Sequence, residues 1–159
     1  MKKKQRTGQE DIIGKIKIFF IITTIVVVFD RVSKYLSFNY LTDKVVLIPN
    51  FLELNFSLNT GAAFSMFTGR TFYLIIISLI FLCLIIFNIS SILKEKYYFA
   101  VALVFGGAIS NLFDRVAYNS VIDFISVRFF SIFNLADVAI SIGAAIILFY
   151  VIQEYLIKK

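Results

Sequence analysis

The sequence predicts an all-α membrane protein with four transmembrane helices. Three observations carry that expectation. Of the 159 residues, 60% are hydrophobic, against roughly 45–50% for an ordinary globular domain. Only 16% are charged. The apolar residues also gather into four long segments, and a span needs roughly 20 of them. The length allows a single domain, residues 1–159.

The first apolar segment runs from about Ile16 to the Asp30–Lys34 region. The second, Thr71 to Leu93, is uncharged for 23 residues. The third, Tyr97 to Phe113, is uncharged for 17. The fourth starts near Phe133 and runs to about Gln153, with Asp137 inside it. The third and fourth reach spanning length only by taking in polar residues at one end. Between the first two lies a loop, Leu36 to Arg70, that is not featureless. Leu52, Leu54, Phe56 and Leu58 alternate with Glu53, Asn55, Ser57 and Asn59. Period-two alternation predicts a half-buried strand, its apolar face on lipid or on the helices.

Four spans put both termini on one side. The net charge of +6 is read as topology, not as nucleic-acid binding. With the N-terminus inside, Lys2, Lys3, Lys4, Arg6, Lys15, Lys17, Lys94, Lys96, Lys158 and Lys159 are inside. Arg31, Lys34, Lys44, Arg70, Arg115 and Arg128 are outside. This excess predicts cytoplasmic termini, with residues 1–15 as a basic cytoplasmic extension. The first segment is not a cleavable signal peptide on this reading, because Asp30, Arg31 and Lys34 follow it in place of small residues.

The chain contains no histidine, which excludes histidine bases, histidine-containing triads and histidine metal ligands. The single cysteine, Cys83, lies mid-way along an apolar run and is expected to be a packing residue without chemistry. Carboxylates are the remaining candidates. Asp114 sits in Asn111-Leu112-Phe113-Asp114-Arg115, Asp123 in Val121-Ile122-Asp123-Phe124-Ile125, and Asp137 in Asn134-Leu135-Ala136-Asp137. Ionisable groups at membrane depth cost about 2.5–3.5 kcal/mol on insertion scales, so they mark function. In the predicted topology all three fall at the outer interface, as do Asp30 and Asn59. Asn134 and Asp137 share a helix face, and Asn111 and Asp114 repeat that spacing. Two carboxylates sharing one proton can activate water and protonate a leaving nitrogen. Each cluster also has a plainer reading. Asp137 could be a helix N-terminal carboxylate, Asp114–Arg115 an interfacial ion pair, Asp30–Lys34 a structural pair and Asn59 a turn former.

With these motifs in order, the chain resembles lipoprotein signal peptidase (signal peptidase II), the bacterial membrane aspartyl peptidase family. The match covers Asp30 with Lys34, Asn59-Thr60-Gly61-Ala62-Ala63-Phe64-Ser65, Gly106-Gly107-Ala108, Asn111 to Arg115, Val121 to Phe124, and Phe133 to Asp137. Ser110 departs from it, since the family usually has Gly before the Asn. The resemblance implies four transmembrane helices with a small extracytoplasmic β-rich cradle. It implies cleavage of prolipoprotein signal peptides just before a diacylglyceryl-modified cysteine, at the outer face of a bacterial cell membrane. Asp123 and Asp137 would be the catalytic pair. Asn59, Asn111, Asp114, Arg115 and Asn134 would shape the site and hold substrate, with Asp30 and Lys34 structural. No metal or organic cofactor is implied. The expected partners are lipidated prolipoproteins and membrane lipid, and the expected state is a monomer.

Two rival readings remain. A small ion-coupled transporter would also keep carboxylates in its spans, but the second span and most of the fourth carry no ionisable group through the midplane. A Ser–Lys peptidase would use Lys34 as base, but no serine has a clear claim to be its nucleophile.

Overall fold

In the computed structural model, residues 2–61 and 69–157 are described, with side chains from Asp11 onward. The Ala62-Ala63-Phe64-Ser65 part of the second motif therefore lies outside the described residues. The order of elements is α1 (Lys2–Tyr40), β1 (Val45–Ile48), β2 (Leu52–Asn59), α2 (Thr71–Phe87), α3 (Ile89–Ile92), α4 (Tyr98–Tyr118), β3 (Val121–Val127) and α5 (Leu135–Ile157).

Among the described residues, three helices are long and apolar enough to cross a membrane: residues 11–40 of α1, all of α4 and all of α5. The expected second span is divided. α2 stops after 17 residues at Asn88, whose side-chain amide donates to the Leu84 carbonyl at 2.9 Å. An asparagine that bonds its own backbone competes with helix continuation. At 1.5 Å per residue α2 is about 25 Å long, short of the ~30 Å hydrocarbon core. α1 corrects the first boundary in the other direction. It continues past Lys34 to Tyr40, so the first residues of the predicted loop are helical. α4 likewise continues through Asp114 and Arg115 to a left-handed cap at Asn119, whose N–H donates to the Arg115 carbonyl.

α4 is the central helix, packed against α1, α2 and α5. It is the most buried of the three long apolar helices. Phe19, Ala102 and Phe105 form the core where α1 meets α4. Close approach to α5 depends on small residues, as is usual between membrane helices. A β-carbon at Gly107 would lie 2.5 Å from the Ala136 carbonyl oxygen. One at Gly143 would lie 2.6 Å from the Ala100 carbonyl oxygen. Most apolar side chains of α1, α2 and α5 face outward, as a lipid environment requires. Cys83 is among these outward residues. It is not a core packing residue, because its side chain is exposed on α2.

The strand predicted from alternation is β2. It is the middle strand of a three-stranded antiparallel sheet in the order β1-β2-β3. The β2–β3 register pairs Ser57 with Asp123 and Asn59 with Val121. β3 occupies what the alternation left as a bare connection between the last two long helices. Past β3 the chain turns back, and Phe133 bonds Ile125 in both directions. That return delivers Asn134 to the start of α5.

Candidate active site

The start of α5 is organised by Asn134. Its backbone N–H donates to Asp137 Oδ2 at 3.2 Å, and its Oδ1 accepts from the Asp137 N–H at 2.9 Å. This is a reciprocal capping arrangement, with each residue satisfying a donor of the first helical turn. Asp137 is therefore a helix N-terminal carboxylate, as its plainer reading had it. The same Asn134 amide also donates to Asp123 Oδ1 at 2.7 Å. One asparagine thus holds both aspartates, one on each side.

The remaining oxygens are held from two other elements. Asn59, at the end of β2, donates to Asp123 Oδ2 at 2.9 Å. Its own Oδ1 accepts from the Gly61 N–H at 2.8 Å. Asn59 is therefore a turn former that also grips an aspartate. Asn111, from α4, donates to Asp137 Oδ1 at 2.8 Å. Asp123 is buried and Asp137 half-buried. Loss of hydration pushes the Asp123 carboxyl up to about 6, and the nearby Asp137 charge adds to that. The Asn59 and Asn134 amides and the Lys34 charge pull it the other way.

Beneath the two aspartates lies a buried layer of charge. Lys34 spends its three N–H donors on Asp30 Oδ2 at 2.7 Å, Asp114 Oδ2 at 2.8 Å and Asn111 Oδ1 at 2.9 Å. Asp114 also pairs with the Arg31 guanidinium and accepts the Ile122 N–H at 3.2 Å. Asp30 accepts the Ala136 N–H at 2.8 Å and the Ser110 hydroxyl at 2.6 Å. Two carboxylates are thus matched by two cations, the pairing that buried ions require. Asn111 joins the layers. Its oxygen is claimed by Lys34 and by Asn134 Nδ2 at 3.1 Å, which leaves its amide nitrogen for Asp137.

Three expectations change here. Asp114 and Arg115 are not an ion pair. Neighbouring residues on a helix point about 100° apart, so Asp114 turns inward to Arg31 and Lys34. Arg115 instead donates to the Gly61 carbonyl at 3.3 Å. The Asp30–Lys34 pair is real but belongs to a larger network. Ser110 is more than a small residue, because its hydroxyl also accepts from Arg31 Nε at 3.1 Å. Arg31 and Ser110 were missed as members of this network. Arg31 lies between Asp30 and Lys34 in sequence and pairs with Asp30 at 3.7 Å, but its hydrogen-bond partners Ser110 and Asp114 are some 80 residues away, at distances along the chain that no local spacing reveals. Lys34 is not available as the base of a Ser–Lys pair, and Ser33 donates to the Asp30 carbonyl.

Asp123 and Asp137 open onto one cavity of about 410 Å³, with Asn59, Asn111 and Arg115 also on its wall. Val138, Ile140 and Ile142 make its apolar side along α5. The Arg115 Nε is buried there with no hydrogen-bond partner among the described residues.

Residues 22–153 match the sequence profile of the family described as signal peptidase (SPase) II. The chain belongs to the signal peptidase II family. It is an aspartic-type peptidase. The lipoprotein signal peptidase of Caldicellulosiruptor bescii is 37% identical over 141 residues, covering 86% of this chain and 92% of that protein. The lipoprotein signal peptidase of Listeria monocytogenes serotype 4a is 33% identical over 144 residues, covering 86% and 94%. A bacterial membrane enzyme solved at 2.3 Å by the in meso method superposes with a TM-score of 0.82. It is 31% identical, with 91% of this chain and 93% of that one covered. A second, solved at 1.9 Å, gives 0.74 at 30% identity, with 86% and 93% covered. Membership of signal peptidase II accounts for a cavity that carries two aspartates and no histidine.

Proposed function

We propose that this single-domain chain cleaves the signal peptide from diacylglyceryl-modified prolipoproteins, just before the lipidated cysteine, with Asp123 and Asp137 as its catalytic pair. The observation that carries the assignment is the shared cavity. Both carboxyls face it, and each oxygen accepts a hydrogen bond from a fixed amide or backbone donor. Burial keeps a proton on Asp123 toward neutral pH. Asp137, in the first turn of α5, lies where a helix N-terminus favours negative charge. In this mechanism Asp137 takes a proton from water as the water oxygen attacks the scissile carbonyl carbon. Asp123 gives its proton to the leaving nitrogen as the C–N bond breaks. No acyl-enzyme forms. The open Arg115 donor suits a substrate carbonyl, and Asn59, Asn111 and Asn134 hold the pair in place.

The topology belongs to the same proposal. α2 with α3 completes a fourth crossing, both termini are cytoplasmic, and the sheet and cavity lie at the outer face. A substrate carrying lipid on its cleavage-site residue has to be met at such a surface. Lipid contact along the outward apolar faces and action as a monomer complete the reading. An ion-coupled transporter is not favoured, because the charged layer ends in a peptidase-like pair and not in a path across the bundle.

The test is incubation of the purified protein with a lipidated prolipoprotein and measurement of signal-peptide release. Wild type should release it. Well-folded Asp123→Asn and Asp137→Asn proteins should not, and robust cleavage by either would sink the mechanism.

A further inference from the structure

Space around Asp123 is divided into two lobes. The first is the cavity of about 410 Å³ that runs along the apolar side of α5. The second, about 340 Å³, is bounded by Ser57, Leu58 and Thr60 near the end of β2. Asn59, Asp123 and the Phe130–Ile132 stretch line both lobes, so the two meet at the aspartate. Each volume lies within the roughly 300–1,000 Å³ of ligand-holding clefts.

The register says which side chain of the second lobe stands beside Asp123. Ser57 is the cross-strand partner of Asp123. Directly paired residues place their side chains on the same face of a sheet, about 4.5–5.5 Å apart at Cβ. Asn59, two residues along β2, is on that face as well and grips Asp123. Ser57 is therefore the small residue beside the aspartate on the side away from α5.

A peptide bond positioned at Asp123 has chain on both sides, and the two sides differ in chemistry. The signal segment and the lipid are apolar and suit the lobe beside Val138, Ile140 and Ile142. The chain after the lipidated cysteine is polar and must return to water. Burying its backbone among apolar side chains would cost several kcal/mol of lost hydration. The second lobe offers Ser57, Asn59, Thr60 and Ser131 instead.

We propose that this second lobe is the subsite for the polar chain that follows the lipidated cysteine, and that Ser57 limits the size of the first residue admitted. The inference rests on the function proposed above. Its test uses the purified full chain and two synthetic substrates that share signal segment and diacylglyceryl-cysteine. One ends at that cysteine as an amide. The other continues with a short Ser- and Asn-rich extension. Wild type should prefer the extended substrate by about tenfold in kcat/KM, the order of discrimination that lost subsite contacts give. Ser57→Trp fills the lobe and should collapse that ratio toward one. Independently of any variant, replacing the serine after the cysteine by tryptophan should cost wild type a similar factor, which decides the matter if Ser57→Trp does not fold. Equal kcat/KM for both substrates in wild type would overturn the subsite, as would an undiminished ratio in a folded Ser57→Trp protein. Failure to cleave either substrate would overturn the underlying function instead.

Discussion

Asp123 exchanges water for two amide donors and a neighbouring carboxylate, and its raised proton affinity has two measurable consequences. The first is kinetic. A pair that needs one proton loses activity as that proton is lost, so kcat/KM should fall as pH rises through about 6. The midpoint belongs to the pair and not to Asp123 alone. A pH–rate profile that climbs through this range would count against Asp123 as the proton donor. The second is thermodynamic. The folded carboxyl titrates near 6 and the unfolded one near 3.8, so the folded state binds the extra proton between those values. Its stabilising contribution is complete below the lower value and is lost as pH rises through the upper one. Asp123→Asn cannot titrate. Its melting temperature relative to wild type should therefore become more favourable between pH 4 and 7, whatever the baseline cost of the lost hydrogen bonds. Asp123→Asn and Asp137→Asn should also be strongly non-additive in initial rate, because a proton-sharing pair fails as a unit.

At the scale of elements, α1 and α4 are joined by the buried charges of Lys34, Asp30 and Asp114 and the half-buried Arg31. Lys34→Met leaves two buried carboxylates with one cation and should cost about 3–5 kcal/mol. Adding Asp114→Asn restores the balance, leaving Asp30 with Arg31, and should recover much of the loss in a melting curve. A double variant no more stable than Lys34→Met would show that packing, not charge, sets the cost. Between α4 and α5 the determinant is space. Gly107→Ala places a β-carbon against the Ala136 backbone, and overpacking of this kind costs about 1–3 kcal/mol. An unchanged melting temperature would mean that the helices separate freely. The sequence makes some of this legible and hides the rest for physical reasons. Alternation exposes β2 because one face is polar. β3, Val-Ile-Asp-Phe-Ile-Ser-Val, is mostly buried at its start and shows no alternation there, so the strand carrying Asp123 reads as a connection. Asp30, Lys34 and the Asn/Asp clusters stand out against an apolar background. The partners of Asp114 do not, because hydrogen bonds across about 80 residues leave no local pattern.

The whole molecule gathers its buried charged and amide side chains, among the described residues, at one end of an apolar bundle, which makes the orientation testable. In a Cys83→Ser background, Lys44→Cys and Arg128→Cys should react with a membrane-impermeant thiol reagent in intact cells, while Lys96→Cys should not. The reverse pattern would invert the topology. The break at Asn88 limits what composition can say about spans, since an uncharged run of 23 residues predicts a helix without interruption and the structure divides it. Asn134 joins these scales, because it starts α5, seats Asp123 and lies against Asn111. An inhibitor that drew its affinity from Asn134, Asn111 and the two aspartates would press on residues whose replacement also loosens a helix end. Escape variants should then arise elsewhere, among the apolar residues of α5 and the 130–132 stretch, where a change of shape trims the substrate lobes but leaves the amide cluster and both aspartates in place. Compounds that lean on the amide cluster and touch those walls lightly should be slow to select for resistance.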